Sequence, residues 1–183
     1  MKYAESVSGE FVSGQAEKVL ISLICAYVIF TLMTYLKLKP LLESIFPFKA
    51  PFKNIAVLGG FLIVFWVVLA YRMCGRGYGI ATAVFAVSFC LFVSPWYGVI
   101  TPYWFSVVGF VSFLILGILV EYTNGGFANL ACIAVNWAAV ELLGIVRLSI
   151  EGVIILGAIA FISGYTGDFA ARKVVEILGQ LKL

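Results

Sequence analysis

The residues of this sequence best suited to binding chemistry lie in or beside one apolar segment, residues 127–146. The segment contains the amide side chains of Asn129 and Asn136 and the carboxylate of Glu141, and Arg147 follows it directly. Amide and charged groups can hold a small polar molecule through hydrogen bonds and charge. Because polar groups inside an apolar segment cost free energy, these residues are the first candidates for a functional site.

If the segment is a helix, its polar residues fall on two neighbouring stripes. One stripe has three-, four- and seven-residue spacings and comprises Asn129, Cys132, Asn136, Leu143 and Arg147. The other stripe comprises Trp137, Glu141 and Gly144. We expect Asn136 near the middle of the helix, and Glu141 further towards its end, at the level of Glu151 in the next segment. One interpretation of these positions is a polar hollow that contains Asn136, Glu141 and Arg147.

The same residues also have a purely structural interpretation. Asparagines inside membrane helices commonly hydrogen-bond across to a neighbouring helix. Glu141 could pair with Arg147 or with a nearby hydroxyl group. Arg147 and Glu151 could neutralise each other if one helix carries both. The sequence leaves the binding and the structural interpretation open.

A second candidate set is aromatic and lies in the stretch SPWYGVITPYW, residues 94–104. Its members are Trp96, Tyr97, Tyr103 and Trp104. Tryptophan and tyrosine are typical of the interface between a membrane and water, so the set could be an ordinary interfacial belt. It could also form, with Trp137, a stacking wall over the polar pocket, since Pro95 and Pro102 would stiffen such a lid.

The elements that must position these residues are membrane-spanning helices. Of the 183 residues, 63% are hydrophobic and 11% are charged, which is more apolar surface than a soluble core of this size can bury. Apolar runs of about 20 residues cross a membrane as helices, because lipid offers backbone groups no hydrogen-bond partners. We predict an all-α integral membrane protein, one membrane domain over residues 1–183, with six transmembrane helices at about 19–36, 54–71, 78–94, 103–120, 127–146 and 149–166. Residues 168–183 predict a further amphipathic helix on the cytoplasmic surface.

The distribution of positive charge predicts the orientation of these helices. Six spans place both ends of the chain on one side, which would carry seven basic residues: Lys2, Lys18, Arg72, Arg76, Arg172, Lys173 and Lys182. The other side would carry five: Lys37, Lys39, Lys49, Lys53 and Arg147. Since positively charged loops favour the cytoplasm, we predict a multi-pass protein of the cell membrane with both termini cytoplasmic. The aromatic stretch and the pocket then face outward.

The composition disfavours several classes of function. The chain has no histidine, which argues against histidine-based catalysis and against histidine-ligated metal or haem. Its four cysteines are far apart and predict neither a disulfide nor a metal site. The net charge of +3, with no basic cluster, predicts no nucleic-acid partner. We predict no metal, no cofactor and no catalytic residue.

Three segments in the second half of the chain have the pattern of a known family. GRGYGIATAVFAVSF has the form of a glycine-rich entry to a third span, and WYGVITPYWFSVVGF that of an outer turn into a fourth. AFISGYTGDFAARKVVEIL has the form of a last span that ends in small residues and is followed by a short basic helix. Over residues 76–183 the chain thus resembles the substrate-binding S components of energy-coupling factor vitamin transporters.

The resemblance implies a protein that captures a vitamin or a related precursor from the outer face and is not an enzyme. It implies a pocket made by the fourth to sixth spans, no nucleotide site, and association with a transmembrane coupling subunit and ATPases. Carried over by position, the cap comprises Trp96, Tyr97, Tyr103 and Trp104, and the pocket comprises Asn136, Trp137, Glu141, Arg147 and Glu151. The family couples through small residues on the first span, where the nearest match is Ser22-x-x-x-Ala26.

Two other functions are open on sequence grounds. The chain could be a non-catalytic structural subunit of a larger membrane protein complex, with its glycine-containing helix faces packed against partner chains. It could also be an enzyme acting on lipid, using carboxylates from the set Glu121, Glu141, Glu151 and Asp168. Their spacing does not resemble a catalytic pair, and no nucleophile lies beside a base.

Overall fold

The computed structural model of the protein describes residues 14–35, 59–93, 104–142, 144 and 149–181. This part of the chain forms six α-helices and no strand. In chain order the helices are α1 (Gln15–Tyr35), α2 (Gly60–Cys74), α3 (Tyr78–Phe92), α4 (Trp104–Tyr122), α5 (Gly125–Leu142) and α6 (Ile150–Gln180). The prediction of an all-α protein with a helix in each of six apolar segments is confirmed for these residues.

Two of these helices are long and apolar enough to cross a membrane. They are Gln15–Thr34 within α1 and the whole of α6. Helices α2 and α3 have 15 residues each and are about 22 Å long, which is less than the roughly 30 Å of a hydrocarbon layer. Association of the described helices with a membrane therefore rests on α1 and α6.

Helix α2 lies at the centre of the bundle and contacts each of the other five described helices. The others pack around it in the order α1, α3, α4, α5 and α6, each against the next. The central position follows from the composition of α2, which is apolar on nearly all sides. Its residues Val64, Val67, Val68 and Ala70 are almost completely buried.

Small residues let α6 approach α5 and α2 closely. A methyl group at Gly164 would overlap the carbonyl oxygen of Gly125, at the start of α5. A methyl group at Gly167 would lie 2.6 Å from the carbonyl oxygen of Phe61 in α2. Such contacts are typical of helices that pack together in membranes. They bring polar side chains of α5 within hydrogen-bond distance of the α6 backbone.

The C-terminal region differs from the prediction. The sequence predicts a membrane helix that ends near residue 166 and a separate surface helix, whereas α6 continues for 31 residues to Gln180. Gly164 and Gly167 do not break the helix, because they are the positions at which it packs against its neighbours. Beyond them, Ala171 and Val175 are buried in the core. The second half of α6 therefore packs against the bundle instead of forming a separate helix.

The small residues of α1 are packing residues. Ser22 and Ala26 are fully buried, and the hydroxyl oxygens of Ser22 and Thr82 in α3 are 2.8 Å apart. The pair therefore joins α1 to α3 inside the bundle. Ser22 and Ala26 are the nearest match to the small residues through which the family binds its coupling subunit. A coupling subunit could contact them only if α1 and α3 separated.

Candidate functional site

At one end of the bundle α4 starts, α5 ends and α6 starts, and we call it the site end. The described residues of the predicted site lie towards this end. Helices α4 and α5 are joined by a short turn and pack together in antiparallel orientation. Helices α5 and α6 are also antiparallel, since the start of α5 lies against Gly164 while Trp137, further along α5, packs with the earlier residue Leu156. The opposite end, with the α2–α3 and α4–α5 turns, is called the turn end.

Five of the nine predicted site residues belong to described helices. Side chains are described for Asn136, Trp137, Glu141 and Glu151, and Trp104 is the first residue of α4. The other four, Trp96, Tyr97, Tyr103 and Arg147, lie outside the described residues. The choice between an aromatic lid and an interfacial belt therefore stays a prediction.

Asn136 connects α5 to α4. Its Nδ2 donates to the hydroxyl oxygen of Ser112 in α4 at 2.8 Å and to the carbonyl oxygen of Cys132 at 2.8 Å. The helix-bridging interpretation of this asparagine is thus confirmed. Because both N–H groups of the amide are engaged, the group that could contact a further partner is its carbonyl oxygen, an acceptor.

Trp137 is buried between α5 and α6. Its side chain is 6% exposed and packs in a cluster with Ile133, Leu156 and Ala160. On sequence grounds the ring of Trp137 could form part of the wall of a cavity, and its described neighbours in the cluster are side chains of α5 and α6.

Glu141 lies in the last turn of α5 and is exposed. The sequence predicts a helix to residue 146 and hence a carboxylate one or two turns below the rim, but α5 ends at Leu142. Gly144 has a φ of 66°, in the left-handed region that favours glycine, and its N–H donates to the carbonyl oxygen of Glu141 at 2.9 Å. The earlier end of α5 brings Glu141 to the surface of the site end.

Glu151 lies in the first turn of α6 and is also exposed. Ser149 caps this helix, because its hydroxyl oxygen accepts a hydrogen bond from the N–H of Gly152 at 3.1 Å. A carboxylate in the first turn of a helix is favoured by the helix dipole. The cap shows that α6 begins directly after Ser149. Arg147 lies outside the described residues, so its pairing with Glu151 stays a prediction.

Asn129, the other polar residue of the first stripe, is 1% exposed near the turn end of α5. Its Nδ2 donates to the carbonyl oxygen of Ala160 at 2.7 Å. Ser163, close to it in α6, accepts a hydrogen bond from the N–H of Phe61 at 2.9 Å. The two bonds join α5 to α6 and α6 to α2, so Asn129 also has the helix-bridging role.

Sequence reasoning missed the structural role of Glu121. Its carboxylate accepts hydrogen bonds from the N–H of Gly77 at 2.9 and 3.0 Å and from the N–H of Ile80 at 3.1 Å. These N–H groups belong to the start of α3, where a helix leaves its amides without internal partners. Glu121 therefore holds the α2–α3 turn against the end of α4.

Asp168 has the equivalent role for α5. Its side chain is buried, and Oδ2 accepts a hydrogen bond from the N–H of Gly125 at 3.0 Å. Arg172 donates to both carboxylate oxygens at 2.7 Å. The four-residue spacing of Asp168 and Arg172 could have predicted this pair. Glu121 and Asp168, two of the four carboxylates considered for a lipid enzyme, are thus bonded to backbone amides.

In the described residues, no group of three or more cysteine, aspartate or glutamate side chains could hold a metal ion. No family model matches the chain, and no match was found among curated proteins or solved structures. The resemblance to S components therefore rests on the three sequence segments alone.

Proposed function

We propose that this protein is the membrane-embedded substrate-binding component of a small-molecule uptake transporter, which captures a vitamin or a related precursor from the outer face. In this proposal all six helices cross the cell membrane, with the bilayer thinned locally around the 15-residue helices α2 and α3, both termini are cytoplasmic, and the site end faces outward. Transport would require a transmembrane coupling subunit and ATPases, since the resemblance implies no nucleotide site in this chain.

The observation that carries the proposal is the position of three hydrogen-bond acceptors towards one end of the bundle. They are the carbonyl oxygen of Asn136 and the carboxylates of Glu141 and Glu151. The aromatic stretch, residues 94–104, follows α3 in the sequence and leads into α4, which starts at this end. Acceptors and aromatic rings together suit a small flat ligand that carries N–H donors or positive charge.

The outer surface of the bundle supports insertion in lipid. Large apolar side chains are exposed on α1 at Leu20, Ile24 and Tyr27, and on α6 at Ile154 and Ile162. An exposed apolar surface of this extent is unusual for a soluble monomer and is expected where a protein faces lipid or another chain. Between Glu151 in its first turn and Asp168, α6 carries no charged residue, and exposed charges follow at Arg172, Lys173 and Glu176.

The test of this proposal is to measure how much small molecule the protein retains on purification. Full-length protein with Glu141→Gln and Glu151→Gln is compared with wild type, and the small molecules released by denaturation are quantified by mass spectrometry. Glu176→Gln is the matched control, because Glu176 is an exposed glutamate on the same helix as Glu151 but lies beyond the turn end.

We expect the wild type and the control to release about one molecule per chain and the double variant to release at least tenfold less. That loss corresponds to about 1.4 kcal/mol or more of binding free energy, which is within the range for charged hydrogen bonds. Equal retention by all three proteins would show that these carboxylates do not form the site.

A structural subunit of a larger membrane complex is the second candidate. It is favoured by the packing of Trp137 between helices and by the engagement of both Asn136 N–H groups within the bundle. Purification from native membranes distinguishes the two candidates. A fixed stoichiometric complex without ATPase subunits, and without a retained small molecule, would favour the structural role.

A further inference from the structure

Two arginines at the turn end have no acidic partner within the described residues. Arg72 lies in the last turn of α2, and Arg76 lies in the turn that leads to α3. Of the other described charges, Asp168 is bonded to Arg172 and Glu176 to Lys173 at 2.6 Å, whereas Glu17 and Lys18 lie in the first turns of α1, near the end of α2. The α2–α3 turn therefore presents two guanidinium groups, and the carboxylate of Glu121, which is bonded to neutral amides of the turn, offsets one of the two positive charges.

Both guanidinium groups lie against tyrosine rings. The Cζ atom of Arg72 is 5.2 Å from the ring centre of Tyr71, and that of Arg76 is 5.4 Å from the ring centre of Tyr122. Among the described residues, the Nε atom of Arg72 has no hydrogen-bond partner and is shielded from solvent. Because this atom is shielded, an acceptor from outside the chain would be bound by the Nη atoms of the guanidinium group.

The turn itself is held in one conformation. Gly75 and Gly77 have φ values of 94° and 89°, which an L side chain rarely adopts. Glu121 anchors the N–H groups of Gly77 and Ile80 to the end of α4. A turn that is already ordered loses little further conformational freedom when it binds a ligand.

We propose that the α2–α3 turn binds the phosphate groups of anionic lipids through Arg72 and Arg76. Arginine matches phosphate geometry with paired N–H donors, and tyrosines are typical of the level of lipid headgroups. The turn joins two apolar helices, so it lies where a phosphate layer would meet their apolar surface. This inference rests on insertion of the bundle in a bilayer and is independent of solute capture.

The test measures lipid binding by the full-length protein in detergent. Phosphatidylglycerol or phosphatidylcholine is titrated, and bound lipid is counted by native mass spectrometry. The Arg72→Gln/Arg76→Gln protein is compared with wild type and with Lys173→Gln, which removes a paired cation on the same end. A basic residue near an anionic lipid surface contributes about a fivefold change in affinity, so we expect about 25-fold weaker phosphatidylglycerol binding by the double variant and at most a twofold change in the control.

The single Arg76→Gln variant changes an exposed turn position and should weaken phosphatidylglycerol binding about fivefold. It provides the test if the loss of Arg72 prevents folding.

Inorganic phosphate at millimolar concentration should leave the bound lipid in place. Displacement of the lipid by inorganic phosphate would instead assign the turn to free phosphate. Equal binding of both lipids by wild type, or unchanged phosphatidylglycerol binding by the variants, would overturn the proposal. Retention of the small molecule at the site end should not change in any of these proteins.

Discussion

Asp168 and Glu141 are both carboxylates on helices of the same bundle, but they differ in what surrounds them. Asp168 is 3% exposed and binds the start of α5 as well as Arg172, whereas Glu141 is exposed where α5 ends. A buried carboxylate needs such partners, because its desolvation is otherwise costly. The distinction predicts different consequences for removing each charge.

Replacement of Asp168 by asparagine should destabilise the bundle. The variant keeps one acceptor oxygen but loses the charge that binds Arg172, and its NH₂ group cannot accept, so one of the donors that face the side chain loses its acceptor. We expect unfolding free energy to fall by about 1–3 kcal/mol, because Arg172 is partly exposed and water compensates part of the loss. Unfolding in detergent, followed by circular dichroism, measures the change. Glu176→Gln, which affects an exposed pair, should change it by less than about 1 kcal/mol.

A double-mutant cycle at Asn136 and Ser112 should reveal a coupling of about 0.6 kcal/mol, the usual size of a hydrogen bond between membrane helices. Ser88 offers the matched control, since its hydroxyl bonds only to the carbonyl oxygen of Val84 in its own helix. The Asn136 and Ser88 substitutions should therefore be additive within error. Additivity between Asn136 and Ser112 as well would mean that the bridge between α4 and α5 contributes nothing.

At the scale of the elements, close helix contacts at small residues decide how α6 is placed. Gly164 and Gly167 allow α6 to lie against α5 and α2, and beyond them Ala171 and Val175 continue the packed face. These contacts explain why α6 remains one helix where the sequence suggests two. They also make the helix sensitive to a single added methyl group.

The Gly164→Ala variant tests this close approach. The new methyl group would overlap the carbonyl oxygen of Gly125, so the two helices must move apart, at an expected cost of about 1–3 kcal/mol in unfolding free energy. Gly157→Ala in the same helix is the control, because its methyl group would lie 3.5 Å from Leu130 in ordinary contact. Thermal unfolding of the two proteins in one detergent makes the comparison. Equal midpoints would show that the Gly125–Gly164 contact is not tightly packed.

The helices are predictable because each apolar run is long and bounded by polar or glycine-rich residues. The partners of individual side chains are less so. A helical stripe shows that Trp137 and Glu141 share a face. It does not show that α6 covers Trp137, or that Glu141 is exposed because α5 ends beside it. Glu121 was missed as a turn anchor because its partners lie more than 40 residues away in the chain.

At the scale of the whole molecule, the two ends of the bundle differ in their polar groups. The site end carries Glu141 in the last turn of α5 and Glu151 in the first turn of α6, both exposed, whereas the turn end carries the anchored carboxylates and the arginines Arg72 and Arg76. The proposed orientation places the first end outside the cell and the second in the cytoplasm, in agreement with the distribution of positive charge.

Labelling in intact cells tests that orientation. Leu142→Cys at the end of α5 and Leu181→Cys after α6 are exposed positions on opposite ends, whereas the four native cysteines are buried. A membrane-impermeant maleimide should label the Leu142→Cys protein in intact cells, and the Leu181→Cys protein only after permeabilisation. The reverse pattern would place the site end in the cytoplasm and exclude capture from outside.

Solute capture itself is tested most directly by the mass of the purified wild-type protein under native conditions. The account predicts a species heavier than the chain by one small molecule, carrying N–H donors or a positive charge, which disappears on denaturation. A spectrum that shows only the bare chain and its lipids, from protein purified without any step that strips ligands, would contradict it.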